Sequence, residues 1–517
     1  MKKVVILGKH PLSEDLVRQY QARGFRVTCV PSHDIGDIGA DVYDEVFFLA
    51  DICHPHPMET DYKAVATIGL LADKMPETSC HRAKTICHLM LLTPHMLHVL
   101  QTSDFCEAVR KKMDIYPFTM AGKWSESIRL DYQPIGFLSE KHVHLVIFGM
   151  NDISEMVAIN AAYMAHYPNY VRDHSLRTRI TLVDGQARAK SDAFLKRYRH
   201  LFDNSYYRLL VPSEAKAVVK FHRPMYEGTR EDFVDIEWEF VEAEINDTDI
   251  REKLKKWAAD TRQLLTVVMV DENGCKNATD ALLLPDALFR HHIPVYVHSQ
   301  NDFRLDGCPD IHAFGMLDRG YDVTLPLVRM AKNINYIYDR CYEENFADGD
   351  DPLLSPEDSM RYAVEIDQEA RERSWGRLSI VKRMSSICNA MTLAVKMRSI
   401  GLDEAEWDKF YDISQQDIEL LSQVEHNRWC VEELVFGFRP CDEEEQRKTE
   451  MDVKTHKKAL KSQMVHYDLR AYNDLRPDET GKSSKVYDRC LCSCLPLIAK
   501  AFADETAAEL IHDPKVD

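Results

Sequence analysis

Leu145-Val146-Ile147-Phe148-Gly149-Met150-Asn151-Asp152-Ile153-Ser154-Glu155 is the stretch on which the fold turns. An apolar run of strand length ends in glycine. Met150-Asn151 follows, and then a helical pattern from Asp152 to His166. Arg179-Ile180-Thr181-Leu182-Val183 supplies a second strand, closed by Asp184. Strand, tight turn, helix and strand make a βαβ unit. The N-terminus opens on the same device. Val4-Val5-Ile6-Leu7-Gly8 leads into a helical pattern that stops at Gly24, and residues 25–30 form the next strand. Ile6, Gly8, Ser13 and Glu14 align with Ile147, Gly149, Ser154 and Glu155 at an offset of 141.

Working outward, residues 45–50, 85–92 and 114–119 are further strands of the first unit. The second unit is fuller. Strands fall at 235–245, 264–271, 293–298 and 313–315, with helices at 249–262 and 278–290. Strands alternating with helices of this length build a parallel, doubly wound sheet. Asp348-Gly349-Asp350-Asp351-Pro352 marks a boundary, and the pattern beyond it is helical. The expected fold is therefore α/β: two tandem Rossmann-like parallel-sheet domains followed by a mainly helical C-terminal domain. The expected boundaries are 1–138, 141–345, a helical connector at 346–412, and a last domain at 413–505. A length of 517 residues suits about three cores.

Composition narrows the function. A net charge of −19, with no concentrated Lys/Arg face, argues against nucleic acid. No apolar run approaches membrane-span length, so direct membrane insertion is not expected. Lys2-Lys3 leads straight into a strand rather than a signal peptide. The 14 cysteines form no CxxC pair and read as free thiols of a reducing compartment, which makes a cytoplasmic location the expectation. Cys490, Cys492 and Cys494 read as a packed helix rather than a metal site.

The glycine turns carry the ligand argument. In GxGxxG the first glycine makes the turn, the second admits a pyrophosphate and the third packs the helix. The first turn has Gly8, His10 and Ser13 at those places; the second has Gly149, Asn151 and Ser154. The second also ends its next strand on Asp184, where an acidic residue bonds ribose hydroxyls. Gly149, Asn151, Asp152, Ser154 and Asp184 are thus the expected nucleotide-binding residues, and NAD(H), NADP(H) or another nucleotide the expected ligand. The first domain, with Pro31-Ser32 in place of the aspartate, reads as degenerate.

Other constellations are weaker. Gly481-Lys482-Ser483-Ser484 lacks the first glycine of a P-loop, since position 476 is arginine. Cys53-His54-Pro55-His56 and the pair His142 and His144 read as structural, so no metal is expected. No catalytic motif supplies a nucleophile with its base.

The C-terminal segment from Ser422 to Phe438 is a helix with an apolar stripe of Leu420, Val424, Val431 and Val435. Glu425, Arg428, Trp429 and Glu432 lie at i, i+3, i+4 and i+7 beside it. Two readings stand: an ion pair with an aromatic anchor, or a ligand or partner face. Glu425-His426-x-Arg428-Trp429, Gly437-Phe438, His456-Lys457-x-x-Leu460, Asp468-Leu469 and a terminal helix resemble the ryanodine-receptor repeat domain, a module that bacterial proteins carry apart from any channel. That family often has Gly-Trp where this chain has Gly437-Phe438, and the charged stretch between Pro440 and His456 is expected to be extended. The upstream domains resemble the TrkA-N type of NAD-binding domain in potassium-transport regulators.

The resemblance implies the architecture more than a mechanism. The leading expectation is a ligand-sensing regulatory protein that binds a nucleotide in the second domain. Its helical module, through Glu425, Arg428, Trp429, Glu432 and His456, serves as a ligand or partner face. The alternatives are an NAD(P)-dependent enzyme, with Asp271 and Asn273 at a strand end, and a scaffold or regulatory subunit of an ion transporter. A homodimer and a membrane transporter are the expected protein partners.

Overall fold

The computed structural model describes residues 1–31, 43–52, 54–75, 84–103, 105–212, 217–224, 232–271, 274–301, 309–345, 366–409, 413–451, 453–475, 477 and 483–511. Asn273, Cys53, residues 348–352 and the Gly481-Lys482 turn lie outside them. The first five strands are β1 (Lys3–Leu7), β2 (Arg26–Val30), β3 (Glu45–Phe48), β4 (Thr85–Leu91) and β5 (Met113–Thr119). They form one parallel sheet in the order β2-β1-β3-β4-β5.

The second sheet contains β6 (His142–Phe148), β7 (Thr178–Asp184), β8 (Tyr206–Leu210), β9 (Val218–His222), β10 (Ile236–Glu242), β11 (Gln263–Met269), β12 (Val295–His298) and β13 (Ile311–Phe314). Its order is β13-β12-β11-β6-β7-β10-β8-β9. Without the β8–β9 hairpin at its edge, the winding is 3-2-1-4-5-6. The first sheet is wound the same way but has no strand beyond β2. In both, the chain reverses direction across the sheet beside the first strand, at β1/β3 and at β6/β11.

The repeat holds at the level of single hydrogen bonds. Gly8 and Gly149 have φ of 98° and 99°, a conformation in which a Cβ is strained. Gly8 N donates to Val30 O at 2.9 Å, and Gly149 N donates to Val183 O at 2.9 Å. Leu49 N donates to Leu7 O, and Val270 N to Phe148 O. At Gly149 an added Cβ would lie 3.3 Å from Val270 C and O and from Asp271 N. The chain leaving β11 therefore closes directly over the turn.

The helical part begins earlier than the acidic boundary. Helix Pro326–Asn345 buries Ala331, Ile334, Ile337 and Cys341 in one core with Trp375, Leu393, Leu421 and Cys490. This core also packs on one face of the first sheet at β5, its edge strand. The Trp375 indole donates to Tyr116 Oη at 2.8 Å, and Arg383 Nη2 donates to Asp114 Oδ1 at 2.8 Å. Among the described residues no helix is long and apolar enough to cross a membrane.

The charged stretch before His456 is helical, not extended: Glu443–Met451 is followed by Val453–Lys461. Asp442 and Glu445 explain the start. Asp442 Oδ1 accepts from Glu445 N at 2.8 Å, and Glu445 Oε2 accepts from Asp442 N at 3.0 Å, a reciprocal cap. Lys448–Glu444 and Arg447–Glu443 pairs at i, i+4 support it further.

Candidate ligand site

The glycine turn of the second sheet is closed by its own side chains. Asn151 Oδ1 accepts from Ile153 N at 3.0 Å and Ser154 N at 3.1 Å. Ser154 Oγ accepts from Asn151 N at 2.7 Å. A phosphate at the start of helix Asp152–Met164 would need those same N–H donors. In the first turn His10 plays the part of Asn151, with Nδ1 accepting from Leu12 N at 3.0 Å. The residue that replaces the second glycine thus bonds a backbone N–H at the helix start in both turns.

Asp184 is equally occupied. Its Oδ2 accepts from Met150 N at 2.9 Å and from Lys190 Nζ at 2.7 Å, and its Oδ1 accepts from Gln186 N at 2.8 Å. Gly149, Asn151, Ser154 and Asp184 are therefore brought together as expected, but their polar groups bond to one another and to the adjoining backbone. Asp152 stands exposed at the helix start, where its charge opposes an anion.

The face expected on the C-terminal helix is mostly buried. Glu425, Arg428 and Glu432 are 3%, 1% and 0% exposed, because helix Ile380–Ser399 lies across them. That helix supplies Lys396, itself 1% exposed, which pairs with Glu425. Arg428 donates to Glu425 at 2.9 and 2.8 Å and also to Glu432. Asn389 Nδ2 donates to the same Glu425 carboxylate at 2.8 Å. Burial pushes the Glu425 carboxyl up, but Arg428 and Lys396 outweigh it and hold its pKa down at about 2.

Glu425, Arg428 and Trp429 nevertheless reach one rim of a cavity of about 690 Å³. That lies inside the range of roughly 300–1,000 Å³ typical of small-molecule sites. Neither Glu432 nor His456 is among its lining residues. Its walls come from helices Pro326–Asn345, Ile380–Ser399, Gln415–Val435, Val453–Lys461 and Lys485–Ser493, and from β15. Here β14 (Arg439–Pro440) and β15 (Val465–His466) are two short parallel strands.

The aromatic wall is ordered by contacts. Trp429 is half-buried, with His466 edge-on at 4.8 Å and His426 tilted at 5.6 Å. Burial pushes the His466 imidazole down to about 4, so it is neutral at pH 7. His426 is fixed by Asp488 Oδ2 at 3.2 Å and Arg470 O at 2.8 Å. Tyr342 stacks between Tyr338 and Tyr487 at 6.0 and 5.5 Å, and both of those flanking rings line the cavity. Lys457 is tied to Asp468 at 2.9 Å and to Ser484 Oγ at 3.2 Å. Sequence reasoning found Trp429 and its helix but missed the opposite wall, because Lys382, Asn389, Tyr338 and Asp488 lie far from it in the chain. The one local signal was His456-Lys457-Lys458 with Lys461, a basic cluster within six residues.

Among the described residues no group of three or more His, Cys, Asp or Glu is placed to hold a metal. Cys490, Cys492 and Cys494 are all buried, with Cys494 against Cys490 and Cys341. No protein-family model, curated protein or solved structure matches the chain.

Proposed function

We propose that this chain is a ligand-sensing regulatory protein whose small-molecule site is the cavity of the C-terminal helical module. The observation that carries the reading is the cavity itself: about 690 Å³, with ordered aromatic side chains and lysines around it. Its connection to the rest of the fold supports regulation. Helix Gln415–Val435 presents His426 and Trp429 to the cavity, while Val431, Val435 and the adjoining Phe436 are buried in the core of the second sheet. Phe436 meets Tyr163 of helix Asp152–Met164 at 6.4 Å. One helix thus joins the ligand wall to the element that starts at the glycine turn, so a ligand that shifts it biases the packing of both. This reading agrees with the resemblance to ryanodine-receptor repeats and to Rossmann-like regulator domains.

A second reading keeps the nucleotide in the crevice between β6 and β11. The 3-2-1-4-5-6 winding favours it, because ligands of such sheets bind outside the strand ends at this point. Hydrogen exchange separates the two. With NAD(H), NADP(H), ATP and cyclic nucleotides added in turn, sensing through the module raises protection at 415–435 and 453–461 and alters it at 152–164. Protection confined to 142–164 and 178–190 would move the site to the crevice. No change with any of these nucleotides would count against both.

A further inference from the structure

The charges around the cavity do not balance locally. Three of its acids are answered by ion pairs, Glu425 by Lys396 and Arg428, Asp468 by Lys457, and Asp488 by His426, while the half-buried Asp339 takes a hydrogen bond from Ser374 and feels the charge of Lys382. Lys382, Lys458 and Lys461 also line it, and among the described residues they make no ion pair. Five lysine and arginine side chains against four carboxylates leave the lining net positive on a chain of net charge −19, a local feature that attracts anions. The lysines stand on two walls. Lys382 lies in the first turn of helix Ile380–Ser399, and Lys458 and Lys461 lie three residues apart, on one face, in the last turn of helix Val453–Lys461.

A second observation lies deeper. Asn389 lines the same cavity, is 3% exposed, and its Oδ1 has no hydrogen-bond partner. A buried acceptor left unmet costs about 1–3 kcal/mol. A ligand with an N–H group would satisfy it. Trp429, on the same lining, offers a ring for stacking.

Resting on the cavity as the sensing site, we propose that its ligand is a planar-ringed polyanion, a nucleotide with two or more phosphates, bridging Lys382 on one wall to Lys458 and Lys461 on the other. A single phosphate meets one wall only. A di- or triphosphate meets both and draws helix Ile380–Ser399 towards helix Val453–Lys461. Since Ile380–Ser399 also carries Lys396, this closure acts directly on the buried Glu425–Arg428 cluster.

The test is calorimetric titration of the full chain with the four ribonucleoside triphosphates, the matching monophosphates and pyrophosphate. At least one triphosphate binds about tenfold or more tighter than its monophosphate, and raising the salt weakens it. Lys382→Gln, and separately the double change Lys458→Gln with Lys461→Gln, bring the triphosphate down to monophosphate affinity. All three lysines are exposed, so thermal melting should confirm an intact fold. Binding that depends on Trp429 but ignores phosphate number and these lysines would leave the sensing site standing and overturn the polyanion. Binding of these probes that ignores Trp429 would overturn the cavity as well. No binding of any probe would overturn the proposal.

Discussion

Glu425→Gln isolates the cluster beneath the cavity. The wild-type carboxylate takes hydrogen bonds from Arg428, Lys396 and Asn389 with no water between them. A carboxyl that titrates at about 2 instead of 4.5 gains, at ~1.36 kcal/mol per pH unit, about 3 kcal/mol from folding. Breaking one partner out of a buried ion pair costs roughly 3–5 kcal/mol, which is consistent. The substitution leaves Lys396 and Arg428 buried with only Glu432 to oppose them. Because a multidomain chain has no single unfolding free energy, the local readout is hydrogen exchange over residues 415–435. A loss of about 3 kcal/mol lowers protection there by roughly 150-fold, while β4 is unaffected. The sign with pH follows. A depressed carboxyl stabilises above its unfolded pKa and loses that contribution as pH falls towards 2, so the gap between variant and wild type narrows below pH 4.5. Protection within threefold of wild type at pH 7 would refute the cluster as a source of stability.

Gly149→Ala forces a side chain into positive φ against the chain leaving β11 and lowers stability by roughly 1–3 kcal/mol, read as a drop in melting temperature. Asp184→Ala costs about 1–3 kcal/mol without any ligand, because Met150 N and Gln186 N lose their acceptor; an unchanged melting temperature would show the aspartate idle in the free protein. Burial and the neighbouring Glu432 push the Glu433 carboxyl up to about 8. The folded state therefore holds its proton longer than the unfolded one, and stability falls as pH rises from 4.5 to 8. Glu433→Gln removes that slope, stabilising by roughly 1–3 kcal/mol at pH 9 with little effect at pH 4.5, read by hydrogen exchange over residues 415–435 at each pH.

The parts of this fold that were legible in sequence are those written locally. An apolar strand, a glycine in positive φ and a helix start occupy a dozen residues, and the two copies agree down to Gly8 N–Val30 O and Gly149 N–Val183 O. What the replaced glycine does instead was not legible. Asn151 is expected from sequence to bind a nucleotide, whereas it caps its own helix, and His10 likewise bonds the first N–H of its helix. Of the two readings of the 425–432 face, the ion pair was legible from the i, i+3 and i+4 spacing, but its partner Lys396 was not, because it lies in a segment read only as a connector. The stretch after Pro440 looked extended because its charge hid a cap between Asp442 and Glu445. The cavity was illegible for a related reason: its walls come from segments more than 100 residues apart, and only Trp429 and the lysines after His456 signalled it.

The most direct test of the account is calorimetric titration of nucleoside triphosphates into three proteins: wild type, Trp429→Ala and Asp184→Ala. Saturable binding in the wild type, lost in Trp429→Ala and kept in Asp184→Ala, is the result expected of a sensor whose ligand sits in the helical module. Binding that survives loss of Trp429 and disappears with loss of Asp184 would contradict it and return the ligand to the crevice beside Gly149.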